Sequence, residues 1–266
     1  MIEIKNETNS AEIIISGDIL DDSWKWDIDG IQDYNTYPST IRDMLKDCNN
    51  KEVNVRINSL GGDVFAGFAI SNILKSHNAK TTAIIDGIAA SSASIIAFGC
   101  DNIKMPSNAY LMIHKPSSYA GGNADDFRKQ ADILDNIQTA IVDTYKSKSK
   151  ISEEEVNKMI DDETWLKGSQ AKEYFNVDIT DEVTVKNCVS DIEYSNMPDE
   201  LKVNKIEDEK QTIDINIDEI VEKVTNNVKD YLEKKEEITN NTLIDEDKEK
   251  IIDSVFFNAN ILKGDD

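Results

Sequence analysis

Apolar residues in this chain follow two rhythms. Short runs that alternate or cluster over four to five positions are separated by longer stretches where apolar residues recur at spacings of three and four. The first rhythm predicts strands and the second amphipathic helices. Residues 2–5 and 11–15 are short apolar-rich runs around Asn6-Glu7-Thr8-Asn9-Ser10, which predicts a strand, a turn and a second strand closed by Gly17-Asp18. Residues 21–35 are polar and aromatic, with Trp24 and Trp26, and predict a loop or short helix. Ser39 is a candidate N-cap for a helix that carries Ile41, Met44 and Leu45 and ends near Cys48.

The same alternation continues downstream. Residues 53–57 read as a strand that enters the loop Asn58-Ser59-Leu60-Gly61-Gly62-Asp63, and Val64, Phe65, Phe68, Ile70, Ile73 and Leu74 give the next helix a wide apolar face. An apolar strand over 81–85 follows, then a turn at Gly87 and a run of small residues that starts a helix over 92–98. Strands are predicted at 102–105 and 109–113, and a long helix at 123–148 with Phe127, Ala131, Leu134, Ile137, Ile141 and Tyr145 on one face. Ser152-Glu153-Glu154-Glu155 is a capping-box start for another helix. A short helix at 168–175 and a closing strand region at 177–185 complete the pattern. Strands alternating with helices at this spacing predict an α/β fold with parallel pairing.

After residue 186 the character changes. Residues 187–266 carry 22 acidic and 10 basic residues. Ile217, Val221, Val224, Val228 and Tyr231 form a short heptad-like seam, and a second helix is predicted over 246–257. The chain therefore divides into a domain over 1–186 and an acidic, partly helical extension over 187–266.

Composition narrows the classes of function. The 266 residues include 52 acidic and 29 basic ones, a formal charge of −23. That balance argues against nucleic acid and anionic membrane as partners, because phosphate surfaces are held by basic patches. The N-terminus has no basic-then-apolar leader pattern, and no stretch is long and apolar enough to span a bilayer. Cys48, Cys100 and Cys188 are too few and too far apart for a disulfide framework or a zinc site. A cytoplasmic protein without metal or cofactor is the expectation.

The candidate chemistry sits at the strand ends. In Gly87-Ile88-Ala89-Ala90-Ser91-Ser92 an apolar strand delivers a serine to a helix N-terminus, where backbone N–H groups favour developing negative charge. The competing reading is that small residues only let two backbones approach closely. His77, in Lys75-Ser76-His77-Asn78, reads as a capping residue at a helix C-terminus. His114 ends a strand before Lys115-Pro116, where α/β proteins place functional side chains. Ser91 and His114 lie at the ends of successive α/β units and form a candidate nucleophile–base pair. An acid to orient the imidazole has its candidates in Asp161-Asp162-Glu163. Gly61 and Gly62 follow a strand and precede a helix, so a backbone N–H there can face an oxyanion. A phosphate-binding loop is the competitor, but the Lys-Ser/Thr ending is absent.

Four segments, in order, resemble the proteolytic subunit of the Clp protease (ClpP). They are Asn58-Ser59-Leu60-Gly61-Gly62 with Ala69-Ile70 behind it, Gly87-Ile88-Ala89-Ala90-Ser91, Met112-Ile113-His114-Lys115-Pro116, and the stretch from Trp165 through Ala171 and Tyr174 to Asp178. The resemblance implies a ClpP/crotonase-like fold of repeated strand-strand-helix units and a serine peptidase. In it Ser91 is the nucleophile, His114 the base, and the N–H groups of Gly62 and Ser92 the oxyanion hole. The family's acid, an Asp, aligns with Glu163 here, which leaves Asp162 and Asp161 open. Leu60 stands where the family has proline. An extended substrate is expected to add beside Gly61 and Gly62.

The Glu-Thr-Trp variant, the polar-aromatic loop and the acidic extension resemble the Clp-related head maturation (prohead) proteases of tailed phages. That branch implies cleavage of capsid or scaffold proteins by a homo-oligomeric ring in the host cytoplasm or inside the procapsid. Three alternatives are a Clp subunit working with an AAA+ ATPase unfoldase, a catalytically silent scaffold or assembly protein, and a crotonase-type acyl-CoA enzyme.

Overall fold

The computed structural model describes residues 4–6, 10–25, 34–48, 51–181, 192 and 194–201. The heptad-like seam, the helix expected over 246–257, Trp26 and Cys188 lie outside the described residues.

The chain begins with β1 (Ile4–Asn6) and β2 (Ser10–Ile19), paired antiparallel. A helical turn at Asp22–Trp24 and α1 (Pro38–Asp47) lead to β3 (Glu52–Gly62), which runs parallel to β2. Then come α2 (Val64–Lys75), β4 (Thr81–Ala90), α3 (Ser92–Gly99), β5 (Asn102–Pro106) and β6 (Tyr110–Ile113). The long helix α4 (Ala124–Lys146) is followed by α5 (Glu153–Asp161), β7 (Thr164–Lys167), α6 (Gly168–Tyr174) and β8 (Asp178–Thr180). Strands β2, β3, β4, β5 and β8 are parallel in that order. The α/β expectation with parallel pairing holds.

The sheet forks at β4, and the fork builds the site. Thr82–Ile84 pair with β5, whereas Ile88–Ala90 pair with β6. Period-2 alternation then divides the side chains between two cores. Ala83, Ile85 and Ala89 of β4, with Leu111 and Ile113 of β6, enter the main core against α2 and α3. Ile88 and Ala90, with Tyr110 and Met112, enter a second cluster that includes Leu60. His114, two residues past Met112, continues the face of the second cluster.

Several boundaries differ from the sequence expectation. Gly17-Asp18 does not close β2: the strand absorbs a register shift between Ser16 and Asp18, with Gly17 at φ 68°, and continues to Ile19. Helix α1 is entered from Tyr37 with Pro38 as its first residue, not capped by Ser39. Proline has no N–H to lose there and a φ already set for a helix. The Asn58–Gly62 stretch is strand rather than loop, because β2 and β4 continue alongside it in the pairs Ser16↔Asn58 and Ser59↔Ala89. Gly87 does not turn the chain either, since β4 runs through it to Ala90 and Ser91 makes the turn. The short strand β7 was not expected; it pairs antiparallel with β6. In the closing region, β8 covers 178–180 only, and 182–185 lie outside the described residues.

Small residues let α2 and α3 pack closely. A methyl group on Gly99 would lie 2.9 Å from Ser71 Cα, and one on Gly67 would lie 2.8 Å from Ser92 Cβ. Phe98 of α3 then meets Tyr145 and Phe175 edge-on, with centroids 5.0 and 5.1 Å apart. A Gly99→Ala variant gains helix propensity of about 1 kcal/mol, but overpacking against backbone costs about 1–3 kcal/mol. The expected outcome is a net loss of stability, read as a lower urea midpoint at unchanged m-value.

Candidate active site

Ser91 joins β4 to α3 at φ 54° and ψ −125°, outside the regions that L-residues with a side chain normally occupy. Such a residue persists only where its surroundings over-determine it. Here the Ser91 N–H donates to Met112 O at 3.1 Å, and Ser91 O accepts from Ser94 N at 3.0 Å. The Ser94 hydroxyl lies 2.6 Å from Ser91 O, 3.0 Å from Met112 O and 2.7 Å from the Tyr145 hydroxyl. A serine has one proton to give, and burial pushes the Tyr145 pKa up, so the phenol stays a donor. Tyr145 therefore donates to Ser94, and the single Ser94 proton is shared between the two carbonyls.

This leaves the Ser91 hydroxyl free of a capping role. It faces His114, whose Nε2 is 2.7 Å from Ser91 Oγ. His114 is half-buried, and burial holds its pKa below 6.5, with the Glu163 charge pulling it back up. A neutral imidazole in contact with a serine hydroxyl can accept its proton.

The acids separate clearly. Asp161 pairs with Lys115 at 3.0 Å and accepts from Gln138 at 3.2 Å, and Asp162 pairs with Lys158, both on the exposed surface. Glu163 is the carboxylate whose field reaches His114. It stands just past the end of α5 with φ 49°, a left-handed position where glycine is usual. Its Oε1 accepts from Trp165 Nε1 at 3.2 Å and from the Asn196 N–H at 2.7 Å. Among the described residues no hydrogen bond joins it to His114.

Gly61 and Gly62, at φ 101° and 144°, bring the end of β3 against the serine turn. A Cβ on Gly61 would lie 2.8 Å from Ser91 Cβ and 3.0 Å from Ser92 N, so the close approach requires glycine. Ser92 is the first residue of α3, where the helix's own ladder offers its N–H no acceptor. Ser91, His114, Glu163 and Gly62 line one cleft of about 570 Å³, with Ile137 and Ile141 of α4 on its apolar wall. His77 lies elsewhere, after α2, with Nε2 2.8 Å from Lys51 O.

Sequence reasoning missed Ser94, Tyr145 as a hydrogen-bonding group, and Asn196. Ser94 carried a readable signal: a hydroxyl inside an otherwise apolar, fully buried helix must find partners nearby. Asn196 carried none, since its contact with Glu163 spans 33 residues.

The Clp protease family model matches residues 38–186. The chain is similar to ATP-dependent Clp protease proteolytic subunit 1 of Chlamydia abortus, 32% identical over 122 residues, covering 44% of this chain and 64% of that protein. Its likeness to subunit 1 of Streptomyces avermitilis is 32% over 130 residues, covering 48% and 59%, and to subunit 2 of Corynebacterium diphtheriae 31% over 131, covering 48% and 65%. The matched stretches thus span less than two thirds of these relatives' own length. A mutant ClpP1 from Listeria monocytogenes shares the fold, with TM-score 0.53 and 21% identity over 64% of this chain and 91% of that one. On the family match over residues 38–186, the chain belongs to the Clp protease family.

Proposed function

We propose that this chain is a serine endopeptidase that works through an acyl-enzyme. The observation that carries the reading is the 2.7 Å contact between His114 Nε2 and Ser91 Oγ on a turn held at φ 54°. Ser91 Oγ attacks the peptide carbonyl as His114 takes its proton. The tetrahedral oxyanion is met by the N–H groups of Gly62 and Ser92. As it collapses, the C–N bond breaks and His114 returns the proton to the leaving amine. Water, deprotonated by His114, then releases the acyl group and restores Ser91. Glu163 is the acid that stabilises the imidazolium; Asp161 and Asp162 are engaged by Lys115 and Lys158.

The substrate is a protein segment added as a strand beside Gly61 and Gly62. The acidic extension and the Glu163-Thr164-Trp165 variant favour capsid or scaffold proteins of a tailed phage, cleaved in the host cytoplasm or the procapsid. The runner-up is a Clp subunit that depends on an ATPase unfoldase. Cleavage of a folded scaffold protein without ATP supports the first, and cleavage of short peptides alone supports the second. A ring of copies is supported by α4, which buries only its C-terminal part and exposes Phe127 and Ile133.

Four outcomes are expected. A fluorophosphonate probe adds once to the wild type, at Ser91 by peptide mapping, and not at all to Ser91→Ala; an adduct that survives the substitution would move the nucleophile elsewhere. The acid limb of kcat/KM falls below pH 6.5, because burial lowers the His114 pKa. Glu163→Gln lowers kcat by about a hundred- to ten-thousand-fold and moves that limb to still lower pH, since the charge that opposed the shift is gone. A limb that stays put in Glu163→Gln would separate Glu163 from His114. Finally, Phe127→Asp with Ile133→Asp shifts the mass measured by light scattering toward the monomer, whereas an unchanged mass would place the contact on another face.

A further inference from the structure

The second apolar cluster is closed by the chain's own downstream segment. Leu60, Ile88, Tyr110 and Met112 are packed over by Ile192, Tyr194, Met197 and Leu201. None of these four belongs to a sheet strand, and all lie beyond β8. The contacts concentrate at the candidate site. The Tyr194 hydroxyl donates to Leu60 O, on the strand end that leads to Gly61 and Gly62. That carbonyl lies past Ser59↔Ala89, the last pair joining β3 to β4. The Tyr194 ring stands edge-on to His114 at 5.1 Å and to Trp165 at 5.7 Å. Two residues on, the Asn196 N–H takes Glu163 Oε1 at 2.7 Å, and its side-chain amide donates to Asp162 O at 3.1 Å.

We propose that the segment around Tyr194–Asn196 is an internal strap that occupies the peptide groove, and that substrates with aromatic or aliphatic side chains compete with it. The inference rests on the peptidase reading above. Two features make the segment an occupant rather than a substrate. Its backbone turns, with Met197 N–H on Tyr194 O at 3.4 Å, whereas strand addition requires an extended chain. It also takes Leu60 O with a phenol, not with a peptide N–H whose carbonyl would then face Ser91. The strap touches both functions of the groove at once. It fills a substrate acceptor through Tyr194, and it gives the Glu163 carboxylate a donor through Asn196. A substrate that displaces Tyr194 releases both, so binding and completion of the Ser91-His114-Glu163 set are linked. The chemistry of the occupant names the ligand class: a peptide with a large apolar side chain seated on Leu60, Met112 and Trp165.

The test uses the full chain. Tyr194→Ala with Met197→Ala releases the strap, and Tyr194→Phe keeps the ring but removes the hydroxyl that donates to Leu60 O. With a fluorogenic peptide carrying aromatic and aliphatic residues, the double variant is expected to raise kcat/KM by about 10-fold, mainly through KM, with Tyr194→Phe between it and wild type. In a Ser91→Ala background, a fluorescein-labelled peptide of residues 192–201 is expected to bind the released variant about 10-fold more tightly than the unreleased one by anisotropy. Equal KM values and equal peptide affinities in variants that keep the wild-type melting temperature would overturn the strap. Loss of the fluorophosphonate adduct from every folded variant would instead overturn the peptidase reading, and the anisotropy comparison would still decide who occupies the groove.

Discussion

The Ser91 turn is the constraint on which the rest depends. A serine at φ 54° and ψ −125° costs about 1–3 kcal/mol relative to an ordinary turn. Left alone, the chain would relax and withdraw the hydroxyl. It is held because β4 and β6 stay in register to their last pair, Ala90↔Met112, and the next N–H, on Ser91, takes Met112 O. The Ser94 hydroxyl then touches the carbonyls of both Ser91 and Met112. One buried group thus ties the end of β4 to β6, the strand that delivers His114. The Ser91–His114 distance follows from a sheet register and a helical hydroxyl, not from the flexibility of either side chain.

Two readings of the small-residue run were competitors in sequence and are partners in space. Gly67 and Gly99 mark where α2 meets Ser92 and where α3 meets Ser71, so small residues do permit close packing. That packing drives the N-terminus of α3 against the end of β3. The same approach leaves no room for a side chain on Gly61 beside Ser91 and Ser92. Dense helix packing is how the fold brings the Gly61–Gly62 strand end against the serine turn.

Legibility in the sequence tracked locality. Apolar spacings of three and four give α4, and the Ser152–Glu155 capping box gives α5; in the structure both helices carry capping boxes, α4 at Asn123 with Asp126. Ser91 and His114 were legible because each follows a strand whose pattern is strong. The glycines misled. Gly17, Gly61 and Gly87 read as turns, yet each lies inside a strand that its neighbours keep paired. Glycine reports that a conformation is available, while the sheet decides whether the chain turns. Pairing partners far along the chain, such as β7 on β6 or Tyr194 on Leu60, leave no local trace.

Glu163 shows why the acid was the hardest assignment. Three consecutive carboxylates stand at the end of one helix, and composition cannot rank them. The helix terminus does. Asp161 is the last helical residue and Asp162 its cap, so both project with the helix surface toward Lys115 and Lys158. The next residue enters the left-handed region at φ 49° and reverses direction, and only there does a carboxylate turn back toward β6 and His114. Glycine would make that turn at lower conformational cost but would bring no charge. A longer acid placed on a strained cap reaches inward where an aspartate on the helix cannot. The strained backbone at Ser91 sets its hydroxyl 2.7 Å from His114, and the one at Glu163 turns its carboxylate to Trp165 and Asn196, near enough for its charge to act on the same imidazole.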